Sequence, residues 1–250
     1  VDADRRRTPG LVIARIAGAP VVLTGSWVAL VVLVAVVYGA ILERPDAAGW
    51  LMGLVAAGVV TVAVLVHELA HGLVGYALRM RPREFVLTFV GGHTTFDTRE
   101  RGPWSAAAIT AAGPVANAAL AGLLLAARPY VEPGGIADTA VGVGAVLNLV
   151  LAISNILPAL PLDGGRLWLE IAEGLTGRPL AGLRALGVLG RLLALAIGAA
   201  AIWLYVDRGG LPGLVVVVGA ATVSATLWSG GSQALKDARA IRGARRRDGT

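Results

Sequence analysis

The segment Leu65-Val66-His67-Glu68-Leu69-Ala70-His71 holds the residues whose types and spacing could do chemistry. HELAH fits the pattern H-E-x-x-H. On a helix, residues four apart share a face, so His67 and His71 can both reach one metal ion, with Glu68 beside them as a general base. The surroundings sharpen the reading. No charged residue occurs from Leu51 to Val66. A helix in a bilayer does not carry two histidines and a glutamate without a function for them. Metal-assisted hydrolysis in the plane of a membrane is the chemistry these residues point to.

A catalytic zinc takes three protein ligands and leaves its fourth position open. The chain has no cysteine, so disulfides and thiolate ligands are excluded and zinc must be held by His and carboxylate. The candidates for a third ligand are Asp163, His93, Glu170 and Glu173. Asp163 lies in Asn155-Ile156-Leu157-Pro158-Ala159-Leu160-Pro161-Leu162-Asp163-Gly164-Gly165-Arg166, where two prolines and two glycines interrupt an apolar run. Broken helix at membrane depth marks a binding or catalytic position. His93 reads more simply as a polar turn residue. Glu170 and Glu173 read as the solvated face of an interfacial helix, with Trp168 at the water boundary.

The elements that must position these residues are membrane helices. The 250 residues are 56% hydrophobic and only 15% charged, against roughly 25% charged in soluble domains. Apolar runs of about 20 residues recur, which is the length that spans a bilayer. The reading is an all-α polytopic membrane protein with about six spans. They run from about Val21 to Leu42, Trp50 to Leu78, Trp104 to Ala127, Ala137 to Leu157, Leu183 to Val206 and Leu211 to Trp228. The chain divides into an N-terminal segment (1–19), a membrane domain (20–230) and a basic tail (231–250). Its first apolar run is long and no small-residue cleavage site follows, so the start does not read as a signal peptide. It opens on Val, which reads as a trimmed start.

Charge sets the orientation. Of a net charge of +6, Arg5, Arg6, Arg7 and Arg15 precede the first span. Lys236, Arg239, Arg242, Arg245, Arg246 and Arg247 follow the last. Arg79, Arg81, Arg83 and the stretch from Arg166 to Arg184 are basic as well. The loops at Glu43-Arg44-Pro45-Asp46, Arg128 to Asp138 and Asp207-Arg208 are poor in arginine. The positive-inside rule then puts both termini in the cytoplasm and the chain in the cell membrane as a multi-pass protein. No aromatic interleaving supports a nucleic-acid surface, so the basic ends read as topology. From His67 to Arg79 is about 18 Å of helix at ~1.5 Å per residue, which submerges the site in the cytoplasmic half.

Between the second and third spans, the β-prone runs of Phe85 to Phe96 flank Gly91-Gly92 and signal a hairpin. At membrane depth such a hairpin must lie against protein or a wet cavity. Its exposed edge is a strand to which an unwound substrate could pair. Phe89, Gly91 and Gly92 are therefore candidate substrate-binding residues. Asn155 shares a helical face with Asn148 and is a candidate for binding substrate backbone or a developing oxyanion. An interhelical hydrogen bond is the stronger reading for Asn148 and Asn117, and Gly113-Pro114 marks a kink in the third span.

HELAH together with NILPALPLDGGR resembles the site-2 protease family of intramembrane zinc metalloproteases, whose second motif is an Asn, a Pro pair and Leu-Asp-Gly. The Gly91-Gly92 hairpin and Ala112-Gly113-Pro114-Val115-Ala116-Asn117 resemble further family features. The resemblance covers roughly Pro20 to Leu175. It implies that His67, His71 and Asp163 hold one zinc ion and that Glu68 is the catalytic base. It also implies an endopeptidase that cuts a transmembrane protein in regulated intramembrane proteolysis, for example a membrane-bound transcription factor, a sigma factor or an anti-sigma factor. Without an inserted PDZ domain, the chain is similar to the compact sporulation-type branch. Members of that branch often carry two CBS domains after the last span, so the tail reads as truncated before them. Two other classes compete. A metal transporter would use the same residues as a transit site, but it should show a path of polar ligands or inverted repeats. A pseudoprotease would bind membrane helices without cutting them, and intact Glu68 and Asp163 argue against it.

Overall fold

A computed structural model describes residues 8–41, 46–89, 91–97, 102–177 and 179–247. The arginines Arg5 to Arg7, the loop Glu43 to Pro45 and Val90 of the hairpin lie outside the described residues. The chain separates into two compact units, one of residues 1–100 and 112–152, the other of residues 101–111 and 153–250.

The first unit starts with sheet. Two β-prone runs meet at Ala17-Gly18, both with positive φ (50° and 83°). This turn joins β1 (Leu11–Ile16) to β2 (Ala19–Leu23) as an antiparallel hairpin. The first span was expected to begin at Val21, but Val21 to Leu23 pair in parallel with Phe85 to Leu87 instead. The helix α1 (Gly25–Ile41) starts only after Thr24. The Thr24 hydroxyl donates to the Leu87 carbonyl (2.8 Å) and accepts from the Trp27 amide (3.3 Å). One side chain thus ends the strand and caps the helix.

Helix α2 (Ala47–Ala77) is capped by Asp46, which accepts from the Gly49 amide at 2.9 Å. Strands β3 (Pro82–Thr88) and β4 (Gly91–Phe96) follow as an antiparallel pair. The expected hairpin is therefore half of a four-stranded mixed sheet in the order β1-β2-β3-β4. Its reversal lies between Thr88 and Gly91, with Gly91 and Gly92 already in β4. Val21, Phe85 and Leu87 pack with Trp27 in a core bordered by Val64, Leu65 and Leu69 of α2. The sheet can approach α2 because two glycines face it. A Cβ on Gly72 would overlap the Phe85 ring, and one on Gly75 the Phe96 ring. The unit also holds most of α3 (Pro103–Ala127) and of α4 (Ile136–Ser154). Pro114 lies inside α3.

The second unit contains α5 (Asp163–Thr176), α6 (Pro179–Arg208) and α7 (Gly210–Arg247). Ala159, Ala194 and Leu227 form its buried core. The sixth apolar run and the basic stretch after it are one continuous helix. Among the described residues, four helices are long and apolar enough to cross a membrane: Ala47–Ala77, Pro103–Tyr130, Ile136–Ser154 and Gly182–Asp207. Gly25–Tyr38 is a shorter apolar helix. The chain is a mainly helical, polytopic membrane protein with one small sheet.

Candidate metal centre

His67, Glu68 and His71 lie in the later half of α2 and are all buried. The helix repeat brings the two imidazoles together in a T-shaped arrangement, with ring centroids 4.7 Å apart. Their Nε2 atoms are 3.1 Å from each other. A tetrahedral zinc with Zn–N bonds of about 2.0–2.1 Å holds two nitrogens roughly 3.3 Å apart. The pair is thus near the spacing such an ion needs.

The wall opposite the imidazoles is built for the same purpose. A Cβ on Gly113 of α3 would overlap His71 Nε2 and touch His67 Nε2 and Cε1. Glycine leaves that space clear, so Gly113 does more than mark the kink expected at Gly113-Pro114. The other nitrogen of His67, Nδ1, lies 2.6 Å from Asn117 Oδ1. Ligand histidines are commonly held in this way by a partner on the second ring nitrogen.

Glu68 is placed by β4. The Thr94 hydroxyl lies 2.8 Å from Glu68 Oε2 and 3.0 Å from the Glu68 carbonyl oxygen, and can donate to either. A Cβ on Gly92 would overlap the Glu68 side chain. Thr94 went unnoticed in the sequence. Its signal was the strand period, which puts residues 92 and 94 on one face of β4.

Asp163 opens α5, following Leu162 at the helix N-cap. The interruption before it folds tightly back on that first turn. A Cβ on Gly164 would meet the Leu157 carbonyl, and one on Gly165 the Ala159 carbonyl. The two glycines after the aspartate are thus a packing requirement. His67 and His71 belong to the first unit and Asp163 to the second, and the three offer two imidazoles and a carboxylate. That donor set suits zinc.

The other candidates for third ligand stand elsewhere. His93 is exposed on β4, opposite Val86. Glu170 is buried in the second unit and accepts from the Thr110 hydroxyl at 3.1 Å. That burial differs from the solvated face expected of it. Glu173 is exposed.

Of the candidate substrate-binding residues, Asn155 directly follows α4 and is half-buried. The Phe89 amide donates to Ser26 Oγ at 3.2 Å, and the Gly91 carbonyl accepts from the Thr88 hydroxyl at 3.0 Å. Thr88 and Gly91 close the hairpin, so the alternation of an antiparallel ladder turns the backbone groups of Gly92 and Thr94 toward the open edge.

A model of peptidase family M50 matches residues 55–134 and 129–197. The chain is 32% identical over 201 residues to the "Putative zinc metalloprotease sll0528" of Synechocystis, across 78% of this chain and 50% of that protein. It is 32% identical over 165 residues to the "Putative zinc metalloprotease Rip3" of Mycobacterium tuberculosis, across 62% of this chain and 42% of that one. The chain thus spans about half the length of the curated relatives it matches. Its fold is similar to the site-2 protease from Methanocaldococcus jannaschii, with a TM-score of 0.60 and 22% identity over 90% of this chain and 94% of that one.

Proposed function

The chain belongs to peptidase family M50, the site-2 proteases, and on that premise we propose a zinc-dependent endopeptidase that cuts membrane proteins in or near a transmembrane segment. The observation that carries this reading is the pair of Nε2 atoms 3.1 Å apart, with Glu68 next to them, inside an apolar helix long enough to cross a bilayer. His67, His71 and Asp163 are the proposed ligands of one zinc ion. When bound, zinc would polarise the scissile carbonyl and lower the pKa of water to about 7.

Glu68 takes the proton of the attacking water and returns it to the leaving amine. Its carboxylate is held for that work by the Thr94 hydroxyl. Burial of the three helix residues keeps bulk water away from the reaction. Substrate contacts fall to Phe89, Gly91 and Gly92 on the hairpin and to Asn155. A transmembrane helix must unwind before its peptide bond can be attacked, and its freed backbone groups then need partners, since each left unpaired in lipid costs several kcal/mol. The open edge of β4 supplies donors and acceptors for an added strand. The substrate class is a transmembrane or membrane-tethered protein, such as a transcription factor, sigma factor or anti-sigma factor held at the cell membrane. Both termini of the protease face the cytoplasm.

The test is cleavage of a membrane-embedded substrate by wild type and by Glu68→Gln, with bound zinc measured in both. Glu68→Gln keeps the metal and loses cleavage by at least about 100-fold. Cleavage at the wild-type rate would remove Glu68 as the base. Zinc bound with no cleavage by either protein would favour a binding protein over an enzyme, and zinc uptake into vesicles by both would favour a transporter.

A further inference from the structure

Asn117 of α3 is fully buried, and so is Asn148 of α4. In sequence they read as polar links between membrane helices, worth a modest amount in lipid. Their hydrogen bonds run in one direction and end on His67.

Backbone carbonyls can only accept, and two of them anchor the chain of bonds. Asn148 Nδ2 donates to the Gly144 carbonyl at 2.8 Å, which turns Asn148 Oδ1 toward Asn117. Asn117 Nδ2 donates to that oxygen at 2.6 Å and to the Ala63 carbonyl at 3.1 Å. Both amide protons of Asn117 are then spent, and its Oδ1 is the atom facing His67 Nδ1 at 2.6 Å. Rotating the Asn117 amide by a half-turn would set oxygen against oxygen at two buried contacts, each losing a hydrogen bond where no water replaces it. The Asn117 oxygen therefore accepts, and His67 Nδ1 carries the proton. In a neutral imidazole this leaves the lone pair on Nε2, the atom beside His71.

The spacing fits the same purpose. Gly113 and Asn117 are four apart on α3 and share a face. One leaves room at the imidazole edge and the other orients the ring. Ala63 is four residues before His67, so Asn117 also grips the turn of α2 that carries the ligand.

From this we infer that Asn117, held by Asn148, is a positioning residue that sets the tautomer of His67 before the metal arrives and so raises zinc affinity. The inference rests on the reading of His67 as a zinc ligand. A purely structural link between helices would leave the tautomer and the metal affinity of a folded variant unchanged.

The experiment uses the whole chain in detergent and has two arms. Nitrogen-15 NMR of the zinc-free protein reads the His67 tautomer, with assignment eased by there being only three histidines. Competition with a chelator reads zinc affinity in wild type, Asn117→Leu, Asn117→Asp and Asn148→Leu. His67 is expected as the Nδ1–H form in wild type. Asn117→Leu should lower zinc affinity by about 10–100-fold, the usual cost of losing such a partner. Asn148→Leu should cost less, and Asn117→Asp, which keeps the acceptor but sets its second oxygen against the Ala63 and Asn148 oxygens, should recover only part of the loss. An Nε2–H tautomer in wild type overturns the inference, as does wild-type zinc affinity in folded Asn117→Leu. If Asn117→Leu does not fold, the wild-type tautomer and Asn148→Leu decide. A wild type with the Nδ1–H tautomer that binds no zinc would leave the relay standing and overturn the metal reading.

Discussion

At the residue scale, two glycines stand against the proposed metal ligands and the proposed base, one at each. Gly113 faces the imidazole nitrogens and Gly92 faces the Glu68 carboxylate. Adding one methyl group at each should give opposite phenotypes. Gly113→Ala pushes against the ligand atoms and should cost at least about tenfold in zinc affinity, measured by chelator competition. Gly92→Ala displaces the base and should retain zinc while cleavage falls by roughly 100-fold. Equal zinc loss in both variants would count against this division. HELAH was legible as a candidate ligand pair with a candidate base beside it because helical spacing alone puts His67 and His71 on one face. Asn117 and Thr94 were not legible in those roles. Their partners are 50 and 26 residues away in sequence, and nothing in a linear pattern selects an amide or a hydroxyl as the group that meets His67 or Glu68.

At the element scale, the sheet determines how a substrate could be held. β3 is an interior strand between β2 and β4, with Phe85, Val86 and Leu87 fully buried. A proline at Leu87 would therefore break two ladders and the core together, and would not test edge pairing. The open edge of β4 is tested better from the substrate side. Methylating substrate amide nitrogens one at a time should abolish cleavage at alternate positions, because successive strand residues turn their N–H groups to opposite sides. Uniform tolerance of methylation would exclude strand addition to β4. The β1–β2 hairpin could have been read from Ala17-Gly18 between two β-prone runs. Its parallel pairing with β3 could not, because β2 and β3 are brought together only by the crossover of α1 and α2.

For the whole molecule, the prediction concerns orientation. The chain has no cysteine, so single cysteines report sidedness without a background signal. Val12→Cys and Ala240→Cys should be labelled from the cytoplasmic face by a membrane-impermeant maleimide, and Glu132→Cys from the opposite face. Labelling of residues 12 and 132 from one side would overturn the topology. Apolar runs, arginine placement and the two motifs by themselves determined a polytopic membrane protein with a candidate His-Glu-His site, because hydropathy and helical period are local properties that survive any packing. Tertiary structure alone decided that the first apolar run splits into strand and helix at Thr24, and that the hairpin belongs to a four-stranded sheet. It also decided which atoms face His67, His71 and Glu68. Those outcomes depend on pairing and close approach between segments distant in sequence, where one missing Cβ or one amide orientation selects the arrangement.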